Sequence, residues 1–242
     1  MSYLTSIKTA IILFPIIAIF FTIPFILHQY HKYGSINKFR VLIIYSFILY
    51  LLTVYFLVIL PLPNPDEVTY QGNMVRLIPF QFIKDFLSQS SFILTNPKTY
   101  LKALTEPSFY TVAFNILMTV PLGMYLRYYF KCSIKKTIII SFSLSLFFEL
   151  TQLSGLYFIY KYPYRFFDVD DLIVNTLGGI IGFYLMGLFQ KILPTREKID
   201  QDSFQAGTKV SSFRRLTLFC FDLVLCFFFS LIISFITSNV YM

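Results

Sequence analysis

The chain of 242 residues is too apolar to be a water-soluble protein. Its residues are 57% hydrophobic and 13% charged, whereas soluble domains are roughly 45–50% apolar and about 25% charged. The net charge of +8 does not indicate nucleic-acid binding. No loop is long enough to hold a binding domain, and lysines and arginines collect in the cytoplasmic loops of membrane proteins. These values predict a protein that has the lipid bilayer as its partner and binds no nucleic acid.

Six segments are long and apolar enough, or nearly so, to cross a hydrocarbon core about 30 Å thick. In chain order they cover residues 7–30, 41–62, 109–130, 136–157, 171–193 and 216–238. The first has too long an apolar run for a signal peptide, and no small-residue cleavage site follows it, so we expect a retained span. The sequence therefore predicts an all-α, polytopic transmembrane helix bundle of about six spans in the cell membrane.

Three basic connections predict how the bundle is oriented. They lie at residues 28–40, 127–136 and 191–215, and because they alternate along the chain they all fall on one side of the membrane. The positive-inside rule makes that side the cytoplasm. The connections at 63–108 and 157–170, and both termini, are then expected to lie outside the cell.

Two polar stretches interrupt the pattern of spans. Residues 76–86, R-L-I-P-F-Q-F-I-K-D-F, mix apolar and charged side chains. They predict a helix that lies flat in the membrane interface or, alternatively, a re-entrant segment. The stretch at 194–212 contains proline, glycine, serine and threonine. It predicts a linker and a boundary between a domain at 1–193 and a last segment at 213–242.

Polar residues in the fourth and fifth predicted spans are the strongest candidates for a functional site. Glu149 and Gln152 are three residues apart and share one helix face. At roughly 10 Å below the outer end, an ionisable group is costly and seldom faces lipid. Asp168, Asp171 and Asn175 line one face of the next helix. These groups either form a buried polar site or are hydrogen-bond partners that hold two helices together.

The residues around these side chains predict how the two helices meet. Gly178 and Gly182 continue the same face of the fifth span, and such a pair lets another helix approach closely. We expect the fourth span to be that helix, because a short loop joins the two. Arg165 is the nearest cation to balance the acids. Asp168 and Asp170 have an alternative role, because carboxylates cap helix starts.

The histidines and cysteines predict neither a metal site nor a cofactor. His28 and His31 lie one turn apart at a helix end, where an interfacial polar pair is more common than a zinc site. The three cysteines, Cys132, Cys220 and Cys226, form no C-x-x-C pair. We therefore expect no bound metal and no cofactor.

Four pieces within residues 40–193 carry a resemblance to a known family. They are L-I-P-F at 77–80, N-I-L-M-T-V-P-L-G at 115–123, E-L-T-Q at 149–152 and R-F-F-D-V-D-D-L-I-V-N-T-L-G-G-I-I-G at 165–182. In order and spacing they resemble the VanZ-like family, named for a teicoplanin-resistance protein of Gram-positive bacteria. The resemblance implies a polar pocket formed by the residues that match the family's recurrent polar positions: Asn115, Glu149, Gln152, Arg165, Asp168, Asp171 and Asn175.

The last segment carries a second, weaker resemblance. The piece F-R-R-L-T-L-F-C-F-D-L-V-L at 213–225 is similar to the opening of an RDD domain, and Arg215 and Asp222, seven residues apart, share a helix face. Leu218 stands where a small residue is usual, and the chain has one span after this opening. We therefore expect a truncated or degenerate RDD-like transmembrane segment at 213–242.

The sequence leaves three functions open. The resemblance implies an accessory protein of the cell envelope that lowers susceptibility to teicoplanin-type lipoglycopeptides through an outward-facing polar site, with a cell-wall precursor or glycopeptide as partner. Carboxylates beside Arg165 also suit a membrane enzyme acting on a lipid-linked phosphate or sugar, although no histidine, serine or cysteine is an evident nucleophile or base. Intramembrane carboxylates can also relay protons in a small transporter or flippase, which with so few spans would need to be an oligomer.

Overall fold

The computed structural model of the protein describes residues 3–70, 72–93, 95–209 and 212–240, without the side chains of 3–5, 212–214, 217 and 231–240. The helices are α1 (Tyr3–Tyr33), α2 (Lys38–Ile59), α3 (Gln81–Gln89), α4 (Tyr100–Ala103), α5 (Pro107–Tyr128), α6 (Ile134–Leu153), α7 (Gly155–Phe158), α8 (Val169–Phe189), α9 (Arg196–Thr208) and α10 (Ser212–Val240). Two short strands, β1 (Val75–Arg76) and β2 (Phe167–Asp168), pair in parallel. Turns of 3-10 helix cover Pro65–Glu67 and Pro97–Thr99.

Short polar side chains mark where four of the long helices begin. Asn37 caps α2, Ser133 caps α6, Asp168 caps α8 and Thr195 caps α9. In each case the side-chain oxygen accepts a hydrogen bond from a backbone N–H of the first helical turn, which has no partner within the helix. The helix starts are therefore encoded locally, by the residue that precedes each helix.

Four helices of the described chain are long and apolar enough to cross a membrane. They cover Ser6–Tyr33, Lys38–Ile59, Pro107–Tyr128 and Val169–Phe189. Together with the scarcity of strand, they confirm the predicted all-α membrane bundle. The fourth predicted span corresponds to α6, which is not among these four, and the described apolar part of α10 covers only Leu218–Ser230. The total of six spans therefore stays a prediction.

Helix α6 has its polar face inside the bundle and its apolar face outside. Six of its seven buried residues are polar: Thr137, Ser141, Ser145, Glu149, Thr151 and Gln152. On the other side Ile139 is 63% exposed and Leu150 is 50% exposed. A surface helix of a water-soluble protein shows the reverse arrangement. The exposed apolar face is what a lipid solvent requires, and the buried polar face supplies groups to the interior.

Glycines let α8 pack closely against both α5 and α6. A Cβ atom at Gly178 would overlap the carbonyl oxygen of Ile116, and one at Gly182 would overlap that of Val120, both in α5. Backbone atoms cannot move aside as a side chain can, so larger residues at these two positions would push the helices apart. The expectation that both glycines face the fourth span is wrong. Helix α6 is met instead by Gly179, where a Cβ would overlap the Ser141 hydroxyl.

One end of the bundle gathers the basic connections. We call it the basic end; it consists of residues 34–37, 129–133 and 190–195 together with α9. Arg40, at the start of α2, donates hydrogen bonds to Gln29 Oε1 at 2.7 Å and Asp200 Oδ1 at 2.5 Å. Ser35 Oγ donates to the carbonyl oxygen of Ser203 at 2.6 Å. The stretch predicted as a linker thus contains a helix, α9, that is fixed to the bundle, while the module boundary at 194–212 stays a prediction.

Candidate functional site

The opposite end of the bundle, which we call the loop end, is formed by the connections at 60–106 and 154–168 and holds a cavity of about 320 Å³. The cavity lies between α2, α5, α6 and α8, with apolar walls that include Leu57, Phe114 and Met118. All seven residues predicted for the polar pocket line it: Asn115, Glu149, Gln152, Arg165, Asp168, Asp171 and Asn175.

Glu149 joins α6 to the start of α8. It is 4% exposed, and its Oε2 accepts a hydrogen bond from the backbone N–H of Asp168 at 2.9 Å. A buried carboxylate is tolerated only where hydrogen bonds or a counter-charge compensate for lost water. The bond to Asp168 provides part of that compensation and engages one of the two carboxylate oxygens.

Gln152 and Arg165 converge on the end of α2. Gln152 Nε2 and Arg165 Nη1 both donate to the carbonyl oxygen of Val58, each at 2.9 Å. The last carbonyls of a helix have no partner within the helix, so the two side chains satisfy a group that would otherwise be unpaired. Arg165 uses one of its five N–H groups in this bond. The other N–H groups make no described hydrogen bond.

Asp171 and Asn175 are held by neighbours on α5 and α6. Asn115 Nδ2 donates to Asp171 Oδ1 at 2.7 Å, and Asn175 Nδ2 donates to Ser145 Oγ at 2.9 Å. Ser145 in turn donates to the backbone carbonyl oxygen of Asp171 at 3.2 Å. Asn175 is 5% exposed, and its Oδ1 has no hydrogen-bond partner among the described residues. Asn175, which lines the cavity, therefore has a buried acceptor that its described neighbours do not satisfy.

Asp168 and Asp170, two residues apart at the start of α8, have different roles. Asp168 Oδ1 accepts from the backbone N–H of Asp170 at 2.9 Å, which is the cap of α8. Asp170 Oδ1 and Oδ2 accept from the backbone N–H groups of Phe80 at 2.6 Å and Phe82 at 2.8 Å. Asp170 thereby binds the start of α3 and ties the L-I-P-F piece to the D-V-D-D piece.

The cation beside Asp168 is one that the sequence analysis missed. Arg76 Nη1 lies 3.9 Å from Asp168 Oδ2, and its guanidinium stacks over the Phe166 ring at 4.5 Å from the centroid. The pairing of β1 with β2 sets Arg76 opposite Asp168. Arg165, which was expected to balance the acids, forms no ion pair with them in the described part of the chain. In the sequence, the only indication that Arg76 contributes to the site was that it directly precedes the L-I-P-F piece.

Among the described residues, no group of three or more histidine, cysteine, aspartate or glutamate side chains is placed to hold a metal ion.

The fold and the cavity define an all-α membrane protein with a polar, acid-rich cavity at one end of the helix bundle. The model of the VanZ/LLP1 family matches residues 47–190, more than half of the chain and all seven predicted pocket residues. The chain therefore belongs to the VanZ/LLP1 family. No curated protein and no solved structure matches it. Helices α9 and α10 lie beyond the matched region, and the resemblance of residues 213–225 to an RDD domain stays a prediction.

Proposed function

We propose that this protein is an accessory protein of the cell envelope and that its cavity faces outward. In this proposal the cavity binds a polar group of a cell-wall precursor or of a glycopeptide, and binding lowers susceptibility to teicoplanin-type lipoglycopeptides. The observation that carries the proposal is the convergence of all seven predicted polar residues on one cavity. Three of the seven, Glu149, Gln152 and Asn175, are buried, and buried polar groups in a membrane bundle are costly unless they meet a ligand or one another.

The chemistry of the cavity favours a ligand rich in hydrogen-bond donors. The hydrogen bonds described for Glu149 and Asp171 use one oxygen of each carboxylate. Asn175 Oδ1 adds a buried acceptor without a partner among the described residues. Sugar hydroxyls, amide N–H groups and ammonium groups are the donors that such acceptors bind. Cell-wall precursors and glycopeptides carry these donors.

The positions of the basic connections support the outward orientation. Three hydrogen bonds of α9 bring the basic connections together at the basic end. They join α9 to Ser35 after α1, to Arg40 at the start of α2 and to Tyr129 after α5. The cavity lies at the opposite, loop end. If the basic end is cytoplasmic, as the positive-inside rule requires, the cavity opens to the outside.

A second candidate is an enzyme that acts on a lipid-linked phosphate. The observation that favours it is Arg165, which lines the same cavity and donates a single described hydrogen bond, to Val58. A guanidinium with free N–H groups can bind a phosphate through two parallel hydrogen bonds. This candidate requires turnover of the ligand, which the first does not.

The test combines two near-isosteric variants, Glu149→Gln and Asp171→Asn. Each replaces a carboxyl group by an amide of nearly the same shape and keeps an oxygen that can accept the hydrogen bond from Asp168 or Asn115. We expect both variants to reach wild-type abundance in the membrane and to lose the lowered susceptibility to teicoplanin. The measurements are membrane abundance by immunoblot and teicoplanin susceptibility in a strain that lacks the native copy.

The matched control is Glu67→Gln, which removes an exposed carboxylate at the same end of the bundle outside the cavity. It should leave both readouts unchanged. Wild-type susceptibility in both cavity variants at wild-type abundance would show that the cavity does not carry the phenotype. Conversion of a radiolabelled lipid-linked phosphate by wild type, lost in Arg165→Gln, would favour the enzyme instead.

A further inference from the structure

A second cavity, of about 310 Å³, lies towards the basic end of the bundle. It is enclosed by the first turns of α2, the last turns of α5 and α8, and Leu193 in the connection after α8. Its walls are mainly apolar and include Phe39, Leu42, Met124 and Met186. All three helices are among the four that are long and apolar enough to cross a membrane. The cavity therefore lies within the membrane-crossing part of the bundle.

The hydroxyl groups that line this cavity are already used by the protein. Tyr125 donates to Ser46 Oγ at 2.9 Å, and Ser46 donates to the carbonyl oxygen of Ile43 at 3.0 Å. Tyr128 donates to the carbonyl oxygen of Pro194 at 2.6 Å. A bound water needs two to four polar partners, whereas an apolar cavity takes up apolar ligands. Unlike the polar cavity at the loop end, this one is suited to hydrocarbon.

The shape of the cavity matches a segment of one hydrocarbon chain. Along α2 its wall runs from Phe39 to Ser46, seven residues or about 10 Å of helix. Its volume is about twice the roughly 150 Å³ of an apolar cavity that binds benzene. Leu42 at the wall is 63% exposed, so the cavity continues the apolar outer surface of α2. That surface faces the hydrocarbon core, which supplies chains at this depth.

A lysine next to the cavity provides charge for a lipid head group. Lys191 is exposed and precedes Leu193, which lines the cavity, by two residues. Within the described part of the chain Lys191 forms no ion pair, whereas Lys131 at the same end is paired with Glu197. Basic groups beside a pocket between membrane helices bind anionic lipid head groups. The ammonium group of Lys191 is thus available to a phosphate.

We propose that this cavity binds an anionic phospholipid from the leaflet at the basic end. One acyl chain lies between α2, α5 and α8, and the phosphate lies at Lys191. The chain supplies contacts that the wall side chains lack when the cavity is empty, so the lipid stabilises the folded bundle. The site is separate from the polar cavity and does not depend on the proposed function.

The first test measures the unfolding temperature of the full chain, purified in dodecyl maltoside, as lipid is added. Phosphatidylglycerol and phosphatidylcholine with identical acyl chains are compared. A ligand that binds only the folded state raises the unfolding temperature in proportion to its occupancy. We expect both lipids to do so, with about fivefold more phosphatidylcholine needed for the same rise, because only phosphatidylglycerol has a net negative charge.

Two pairs of variants then locate the site. Leu42→Trp obstructs the cavity and should abolish the stabilisation by phosphatidylglycerol, whereas Leu188→Trp should retain it, since Leu188 is 70% exposed on α8 outside the cavity. Lys191→Gln should remove the preference for phosphatidylglycerol, whereas Lys136→Gln should keep it. Lys136 is also exposed and lies at the start of α6, away from the cavity wall.

A second measurement detects the acyl chain directly. The chain contains no tryptophan, so a single introduced tryptophan is an unambiguous fluorescent probe. Phe39→Trp places it in the cavity wall, and Phe189→Trp places it on the exposed surface at the end of α8. Phosphatidylglycerol with brominated acyl chains is added to each variant. We expect quenching at position 39 to saturate at a low mole fraction of lipid, and quenching at position 189 to follow the bulk mole fraction.

Several results would overturn the proposal. They are an unfolding temperature that neither lipid raises, equal stabilisation of wild type by both lipids, and stabilisation of Leu42→Trp as large as that of Leu188→Trp. A preference for phosphatidylglycerol that survives Lys191→Gln would overturn the head-group site. Identical quenching curves for positions 39 and 189 would show that the lipid surrounds the bundle without entering the cavity.

Discussion

The two ends of the bundle use buried polar residues in opposite ways. At the basic end Arg40 is 2% exposed, and its guanidinium is bound by Gln29, Asp200 and Ser203 and covered by the Tyr33 ring at 3.8 Å. At the loop end the polar residues surround a cavity of about 320 Å³ and leave hydrogen-bonding capacity unused.

The difference offers a criterion for separating structural polar clusters from binding sites. Arg40 donates three described hydrogen bonds, all to groups of the protein, and those to Asp200 and Ser203 hold α9 to the bundle. A group such as Asn175, buried with an acceptor unpaired among the described residues, carries a cost that a ligand can remove. Both ends thus contain buried polar side chains. They differ in whether the hydrogen-bonding groups of these side chains have partners among the described residues.

The largest effect is expected from breaking the satisfied cluster with Arg40→Met. The substitution keeps the bulk of the side chain and leaves Gln29 and Asp200 without their partner, so the free energy of unfolding should fall by about 3 kcal/mol. The measurement is thermal or denaturant unfolding of the protein in detergent. Lys38→Met is the control, because Lys38 is exposed two residues earlier on the same helix. Equal stability of the two variants would contradict a structural role for the cluster.

An intermediate effect is expected from Asp170→Asn at the loop end. Phe80 and Phe82 donate to different oxygens of Asp170, and an amide has an NH₂ group in place of one of these oxygens, so one of the two N–H groups loses its partner. The loss should cost about 1 kcal/mol and be confined to the start of α3. Hydrogen exchange measured on residues 80–89 should be about fivefold faster than in wild type.

Asp66→Asn is the matched control, since Asp66 is exposed in the same connection. Unchanged exchange in residues 80–89 of the Asp170→Asn variant would show that Asp170 does not hold α3. Faster exchange throughout the bundle would show instead that the loop end is as tightly coupled to overall stability as the basic end.

The smallest effect is expected at Glu106, which precedes α5 outside the cavity. The Ser91 hydroxyl and the Ser91 backbone N–H, the latter at 2.8 Å, donate to its carboxylate and lower its pKa. Because the pKa is lower in the folded than in the unfolded state, this carboxylate stabilises the fold at neutral pH. The stabilisation is lost as the pH falls through the usual carboxyl range to the folded pKa.

Ser91→Ala removes the hydroxyl and should make unfolding slightly less dependent on pH in that acidic range. Unfolding temperatures of wild type and variant, compared between neutral and acidic pH, provide the measurement. An identical pH dependence for both proteins would show that the Ser91 hydroxyl does not influence the Glu106 pKa. Exposure to water is the reason for expecting a small change, since exposed charges are screened.

The sequence by itself determined the class of the protein and the polar residues of the cavity. Apolar runs define membrane helices because lipid leaves backbone groups no partner except each other. The helical period then puts Glu149 with Gln152, and Asp171 with Asn175, on common faces. Ionisable groups within such runs are rare enough to be recognised one residue at a time, without any knowledge of the neighbouring helices.

Only the tertiary structure decided which groups meet. Helical periodicity gives the face on which Gly178 lies, but the packing of three helices made α5 its neighbour and left Gly179 for α6. Arg76 and Asp168 are brought together by the pairing of two short strands that are far apart in the chain. The hydrogen bond between Asp170 and Phe80 likewise joins residues that are far apart in the chain. Contacts of this kind depend on loop closure and on competition between neighbours, which no local sequence pattern encodes.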